Sequence, residues 1–268
     1  MHGIGNDFVV VDAIQNPLLP VDLSELSRKI NDRRLGVGSD GLVILEEGTV
    51  APFRMRMFNP DGSESEMCGN AIRCIHQLIK SHGHTSEDSF QVETGSGTLT
   101  LSKTKLGLIS VDMGTPRLNR VDIPMTGEPG ETFLDKPIGG FLGTAVSMGN
   151  PHLVIFVENV EAIDLPRQGS SLETNSLFPN RTNVHFVQVI DRQHMIQRTW
   201  ERGAGATLAC GTGACAVAVA GFETGRTDRE VDIKLPGGHL EIHYSESGRV
   251  TMSGPADTVF EGEFPESL

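Results

Sequence analysis

Two cysteines stand in matching settings, Cys68-Gly69-Asn70-Ala71 and Cys210-Gly211-Thr212-Gly213. Apolar residues recur at helical spacing after the first, at Ala71, Ile72, Ile75, Leu78 and Ile79, and a small apolar run from Ala214 to Ala220 follows the second. A thiol at the first turn of a helix meets unpaired N–H groups and the positive end of the dipole, so the expectation is a lowered pKa and an accessible thiolate. The N–H groups of Gly69-Asn70 and Gly211-Thr212 would attract a carboxylate and stabilise the charge delocalised into it when an adjacent α-proton leaves. Inverting an α-carbon needs a base on one face and an acid on the other, a task suited to two matched thiols. Cys74 and Cys215 read instead as small buried residues within the helices.

The elements that position these cysteines repeat along the chain. Gly5-Asn6 and Gly149-Asn150 lie upstream in each half, Asn59 and Glu201 stand nine residues before each cysteine, and Gly83 and Gly225 follow fifteen residues after. Gly95 to Leu99 matches Pro236 to Leu240, and Met113-Gly114-Thr115-Pro116 matches Met252-Ser253-Gly254-Pro255. Such self-similarity implies two homologous domains, residues 1–115 and 116–254, with residues 255–268 packing back onto the first. Short strands are expected at 9–11, 42–45, 55–58 and 98–101, and again at 153–157, 184–190 and 239–242. Each half is thus β-rich with one principal helix, which Gly83 or Gly225 ends.

Composition narrows the partners. A formal charge of −13 over 268 residues opposes binding to nucleic acid or an anionic membrane, and a small zwitterionic ligand stays compatible. The stretch from Ala214 to Phe222 is too short to span a bilayer and no signal pattern opens the chain, so a cytoplasmic protein is expected. Four cysteines are too few for a disulfide framework, and their spacing lacks the two-residue gaps of a zinc knuckle, so no metal is expected. Residues 36–41 have the glycine spacing of a dinucleotide fingerprint, but a helix-like stretch from Leu23 to Arg34 precedes them and a strand follows. That order is the reverse of what the fingerprint requires, and a turn bordering the substrate is the better reading.

Asn6, Asn59 and Asn150 could each be a simple turn residue. Aligned by the repeat, they become candidate ligands for the amino and carboxylate groups of a polar substrate. Glu201-Arg202 could be a surface ion pair, although its offset from Cys210 favours a role in the site. His152 could tune a thiol or be a hydrogen-bonded structural group.

The segments Met1 to Phe8, Phe58 to Ser63, Met67-Cys68-Gly69-Asn70, Ser147 to His152, Glu201 to Gly205 and Ala209 to Gly213 together resemble the diaminopimelate epimerase family along nearly the whole chain. The resemblance implies an α+β fold: two pseudo-symmetric domains, each a mixed β-sheet curved into a barrel around a central helix, with the active site in the cleft between them. It implies an isomerase that interconverts LL- and meso-2,6-diaminopimelate on the way to lysine and peptidoglycan, with no pyridoxal phosphate, metal or other cofactor. By the same resemblance Cys68 and Cys210 are the acid/base residues, and Asn6, Asn59, Gly69, Asn70, Asn150, Asn183, Glu201, Arg202, Gly211 and Thr212 line the substrate. His152 and Glu201 would tune the thiols.

Relatives commonly carry a few strand-forming residues before the position of Met1, and Gly41 and Ala71 depart from the family pattern in ways that bear on fine specificity. The expected partners are a small-molecule substrate and a second copy in a homodimer, without nucleic acid or membrane. The rivals are a related racemase for another amino acid, such as glutamate or histidine, and a catalytically silent amino-acid binder. Oxidation joining Cys68 to Cys210 is a further expectation.

Overall fold

A computed structural model describes residues 1–17 and 21–264. The chain divides into two compact units, Met1–Val111 with Gly254–Leu268, and Asp112–Ser253. Both are α+β, with many short strands and few helices.

The first unit holds helices α1 (Leu23–Ile30) and α2 (Gly69–Ser81). Its sheet runs in the order Ile109–Asp112, Gly97–Lys103, Ser89–Thr94, Phe53–Phe58, Leu42–Glu47, Val9–Asp12. Strand Val9–Asp12 pairs parallel with Leu42–Glu47, and α1 lies in the crossover between them. The helix-like stretch expected to reach Arg34 stops at Ile30, and the Asp32 carboxylate then accepts the N–H groups of Arg34 and Leu35 at 2.7 and 2.8 Å. Those local bonds turn the chain where helical periodicity alone would have continued it. Residues 36–41 form a loop into the next strand, as the reversed order of the glycine motif requires.

The second unit repeats the plan. Helices α3 (Leu165–Glu173) and α4 (Gly211–Glu223) accompany strands ordered Lys136–Ile138, Phe141–Ser147, Pro151–Phe156, Asn183–Val189, His194–Glu201, Glu230–Leu235, Gly238–Tyr244, Val250–Gly254. Pro151–Phe156 pairs parallel with Asn183–Val189 across α3, as Val9–Asp12 does with Leu42–Glu47 across α1. In both units a hairpin precedes the cysteine, Phe53–Phe58 with Glu64–Ser65 and His194–Glu201 with Gly205–Thr207. Gly83 and Gly225, each at φ 73°, follow the two principal helices in the left-handed conformation that stops a helix.

Both helices are enclosed, ten of thirteen residues being buried in each, but with different side chains. Helix α2 covers strands of its own sheet with Ile72, Ile75 and Ile79, all fully buried, and buries Asn70, Arg73 and His76 on its other side, while Lys80 and Ser81 at its end are wetter. In α4 every residue from Gly213 to Gly221 is buried, and five strands of the second unit pack around it. Its small residues are the reason: alanine and glycine leave room for sheet on several sides. Among the described residues neither strand order returns to its beginning, so each sheet is open by its hydrogen bonds. The barrel implied by the resemblance is not closed, because closure requires the end strands to pair.

Candidate active site

Cys68 and Cys210 occupy equivalent backbone positions. Each is the capping residue ahead of its helix, Cys68 at φ −139°, ψ 123° and Cys210 at φ −134°, ψ 102°. The thiols therefore stand one residue before the first turn, with Gly69 and Gly211 opening the helices.

Around half-buried Cys68 the neighbours are amides. The thiol lies 3.8 Å from Asn6 Oδ1, and Asn70 Nδ2 donates to the same oxygen at 3.0 Å. Asn6 Nδ2 donates to Asp40 Oδ2 at 2.7 Å, and Arg33 holds Asp40 at 2.8 Å. From the other side the fully buried Arg73 donates to Asn70 Oδ1 at 2.9 Å, to the Gly69 carbonyl at 3.0 Å and to the Pro255 carbonyl at 3.1 Å. Both amides are thereby locked in one orientation, each oxygen and nitrogen having its own partner. Asn59 bonds across its own turn, Nδ2 to Ser63 Oγ at 3.0 Å.

Around Cys210 the neighbours are a carboxylate and a hydroxyl. Thr212 Oγ1 lies 3.9 Å from the thiol, and Glu201, beside it, accepts from Thr207 Oγ1 at 2.6 Å. Burial, and after it the negative charge of Glu201, pushes the Cys210 thiol well above its ordinary pKa, against the Gly213 N–H and the Thr212 hydroxyl. This reverses the expectation from the helix terminus. A helix dipole contributes about 0.3–1 kcal/mol, less than one pKa unit at about 1.4 kcal/mol per unit, whereas full burial moves a group by up to about 3–5 units. Cys74 behaves as a structural thiol should, buried and pushed up to about 12 by desolvation.

A line of buried polar groups leads to Thr212. Asn150 Nδ2 faces Thr212 Oγ1 at 3.5 Å, Asn150 Oδ1 meets His152 Nε2 at 2.8 Å, and His152 Nδ1 meets His185 Nε2 at 2.9 Å. His185 Nδ1 lies 3.0 Å from Thr199 Oγ1 and 3.2 Å from Gln197 Nε2. Burial keeps both imidazoles neutral, lowering His152 well below its usual value and His185 to about 3. One consistent set of donors follows: the amide oxygen takes the His152 Nε2 proton, so His152 Nδ1 accepts from His185 Nε2, and His185 Nδ1 accepts from Thr199 and Gln197. Every donor in the line points toward Cys210.

Gly213 makes room for this arrangement. A β-carbon there would stand 2.3 Å from His185 Cε1 and 2.9 Å from Cys210 Sγ. Asn183 Nδ2 donates to the Pro151 carbonyl at 3.0 Å, and its oxygen accepts the Arg202 N–H at 3.0 Å. Arg202 donates to the Asn180 carbonyl at 3.2 Å. A cavity of about 400 Å³ lies within this unit, bordered by Arg117, Ser147, Gly149, Asn150, Asn180 and Arg202.

Three residues near the thiols escaped the sequence reading, Arg73, His185 and Thr207, whereas Asp40 belongs to the turn expected to border the substrate. Arg73 carried no signal, since at helical spacing it shares a side with Asn70, Gln77 and Lys80 and reads as a solvated charge. His185 alternates with apolar residues in a strand and looks like any inward position.

The fold matches solved structures of other proteins. A phenazine biosynthesis protein of the PhzF family from Bacillus anthracis superposes with a TM-score of 0.68 over 95% of this chain and 91% of that one, at 18% identity. That likeness defines a fold class of two-domain α+β proteins. The chain belongs to the diaminopimelate epimerase family, whose family model, "Diaminopimelate epimerase", matches residues 1–119 and 144–259. Among its relatives of that name, the one from Pelotomaculum thermopropionicum is 48% identical over 272 residues, covering 98% of this chain and 97% of that protein. The one from Desulforudis audaxviator is 49% identical over 271 residues, covering 98% and 97%.

Proposed function

We propose that this enzyme interconverts LL- and meso-2,6-diaminopimelate without a cofactor, using Cys68 and Cys210 as its two acid/base residues. The observation that carries this reading is their equivalent place: each caps the principal helix of its unit in nearly the same backbone conformation. The names of the family relatives supply the substrate.

One thiolate takes the α-proton and becomes a thiol, while the other thiol gives its proton to the opposite face and becomes a thiolate. The enzyme ends with the roles exchanged, ready for the reverse reaction. N–H groups at the starts of α2 and α4 hold the substrate carboxylate and stabilise the charge that spreads into it. Asn6, Asn59, Asn70, Asn150, Asn183, Arg202 and Thr212 bind the polar groups of the substrate. The raised pKa of Cys210 suits the proton donor of the resting enzyme, and Glu201 helps hold that proton on the thiol until the substrate takes it. His152, neutral in its buried setting, acts by donating to Asn150 and so directing that amide. Residues 1–115 and 116–254 form the two epimerase domains, and the enzyme works as a cytoplasmic homodimer.

The test is proton exchange at the α-carbon. Reduced enzyme with LL-diaminopimelate in deuterium oxide should lose the α-proton signal and form the meso isomer, and Cys68→Ser and Cys210→Ser should each abolish or severely slow both. A folded, reduced enzyme that exchanges no proton would reject the substrate, and full activity in either variant would reject the two-thiol mechanism.

A further inference from the structure

At the far end of α2 from Cys68, about 20 Å along a 13-residue helix at 1.5 Å per residue, two imidazoles converge on one carboxylate oxygen. Asp12 Oδ2 lies 2.6 Å from His82 Nδ1 and 2.7 Å from His84 Nε2. The oxygen, Nδ1 and Nε2 all lie within 4.8 Å of one another. Asp12 ends the strand Val9–Asp12, whereas His82 caps α2 and His84 follows two residues later.

We propose that Asp12, His82 and His84 form a binding site for one divalent transition-metal ion of the zinc class, separate from the catalytic thiols. Two imidazoles and a carboxylate are a donor set that suits zinc and its neighbours, and three protein ligands leave a position for water. The carboxylate is prepared for it. Asp12 Oδ1 accepts the N–H groups of Ile14 and Gln15 at 3.2 and 3.1 Å, which fixes the plane of the carboxylate and leaves Oδ2 to the histidines.

The local field favours a cation as well. The site sits where the C-terminal carbonyls of α2 emerge, the negative end of the helix dipole. Asp12 is 4% exposed at its side chain, His84 14% and His82 25%, so the carboxylate is enclosed and the histidines open a path to solvent. Coordination at about 2.0–2.1 Å would spread the ligand atoms to about 3.3 Å apart in a tetrahedron. That is an opening of well under 1 Å from the hydrogen-bonded distances, within reach of small side-chain rotations. A bound ion would staple the strand that follows Asn6 to the helix that carries Cys68.

The whole chain, stripped with chelator and dialysed against zinc or cobalt, tests this. One retained equivalent is expected, with a zinc-dependent rise in melting temperature and cobalt d–d absorption that lacks a thiolate charge-transfer band. His84→Gln and Asp12→Asn should each lose the retained metal and the thermal shift while keeping the circular dichroism of the parent. Should either variant fail to fold, zinc titration of the parent followed by imidazole NMR decides the matter. Stoichiometric movement of the His82 and His84 signals supports the site. No retained metal in the parent, equal retention in folded variants, a thiolate band, or unmoved histidine signals would overturn it.

Discussion

His185 Nε2 donates to His152 Nδ1 at 2.9 Å, in a pair of neutral imidazoles with no exposed surface. The bond decides which nitrogen of His152 carries the proton, and hence that His152 can only donate toward Asn150. His185 touches none of the groups proposed to meet substrate except through His152 and the start of α4, which makes it a positioning residue. Replacing it with phenylalanine removes the donor and leaves His152 Nδ1 buried without a partner, at a stability cost of about 1–3 kcal/mol. Deuterium exchange by the folded variant should fall by about tenfold or more, the equivalent of about 1.4 kcal/mol of lost orientation. Unchanged exchange would mean that Asn150 is held by other contacts.

Gly213 and His185 are coupled through space. Gly213→Ala drives a methyl group into the imidazole and against Cys210 Sγ, and overpacking of this kind costs about 1–3 kcal/mol. Adding His185→Ser should return part of that loss. Urea denaturation of both single variants and the double variant measures it, and strict additivity would contradict the contact.

Glu201 raises the pKa of the Cys210 thiol, and neutralising it should lower that pKa even though burial persists. In a Cys68→Ser background, Glu201→Gln should shift the pH dependence of Cys210 alkylation toward lower pH, and with Cys68 intact the same substitution should slow epimerisation. An unmoved profile would assign the whole shift to desolvation.

Buried neutral histidines make the fold acid-sensitive. His185 is pushed down to about 3 and His76 to about 4, in each case by burial first, and unfolding restores a value near 6.5. Below about 6.5 the unfolded chain binds more protons than the native one, so stability contributed by these groups is present above that pH and is lost as pH falls toward the folded values. Each histidine contributes a slope of up to about 1.4 kcal/mol per pH unit. Urea midpoints at pH 7, 6 and 5 should fall in that order. His76, stacked on Phe90 at 5.0 Å with neither ring nitrogen hydrogen-bonded, adds a second expectation: His76→Leu should raise stability by about 1 kcal/mol and flatten the pH dependence.

Much of this protein is legible in one dimension. The helices after Cys68 and Cys210 follow from apolar spacing and from the glycines that end them, and short apolar runs such as Leu42-Val43-Ile44-Leu45 announce their strands because local pattern and burial agree there. The strands Phe141–Ser147 and His194–Glu201 gave no such announcement, since glycine, serine and charged residues interrupt them and only pairing with neighbours makes them strands.

The sequence by itself determined the repeat, the paired cysteines at two helix starts and the absence of a nucleotide-binding order in residues 36–41. Only the tertiary structure decided the surroundings of the thiols: an amide oxygen beside Cys68, a carboxylate beside buried Cys210, Arg73 beneath Asn70, and His185 behind His152. The physical reason is range. Helix caps and periodicity arise within a few residues, whereas desolvation and the choice of hydrogen-bond partner depend on groups far away in the chain, as with Cys68 and Asn6, separated by 62 positions. The pKa of Cys210 shows the difference in scale, because its helix terminus is visible in the sequence and its burial, which prevails, is not.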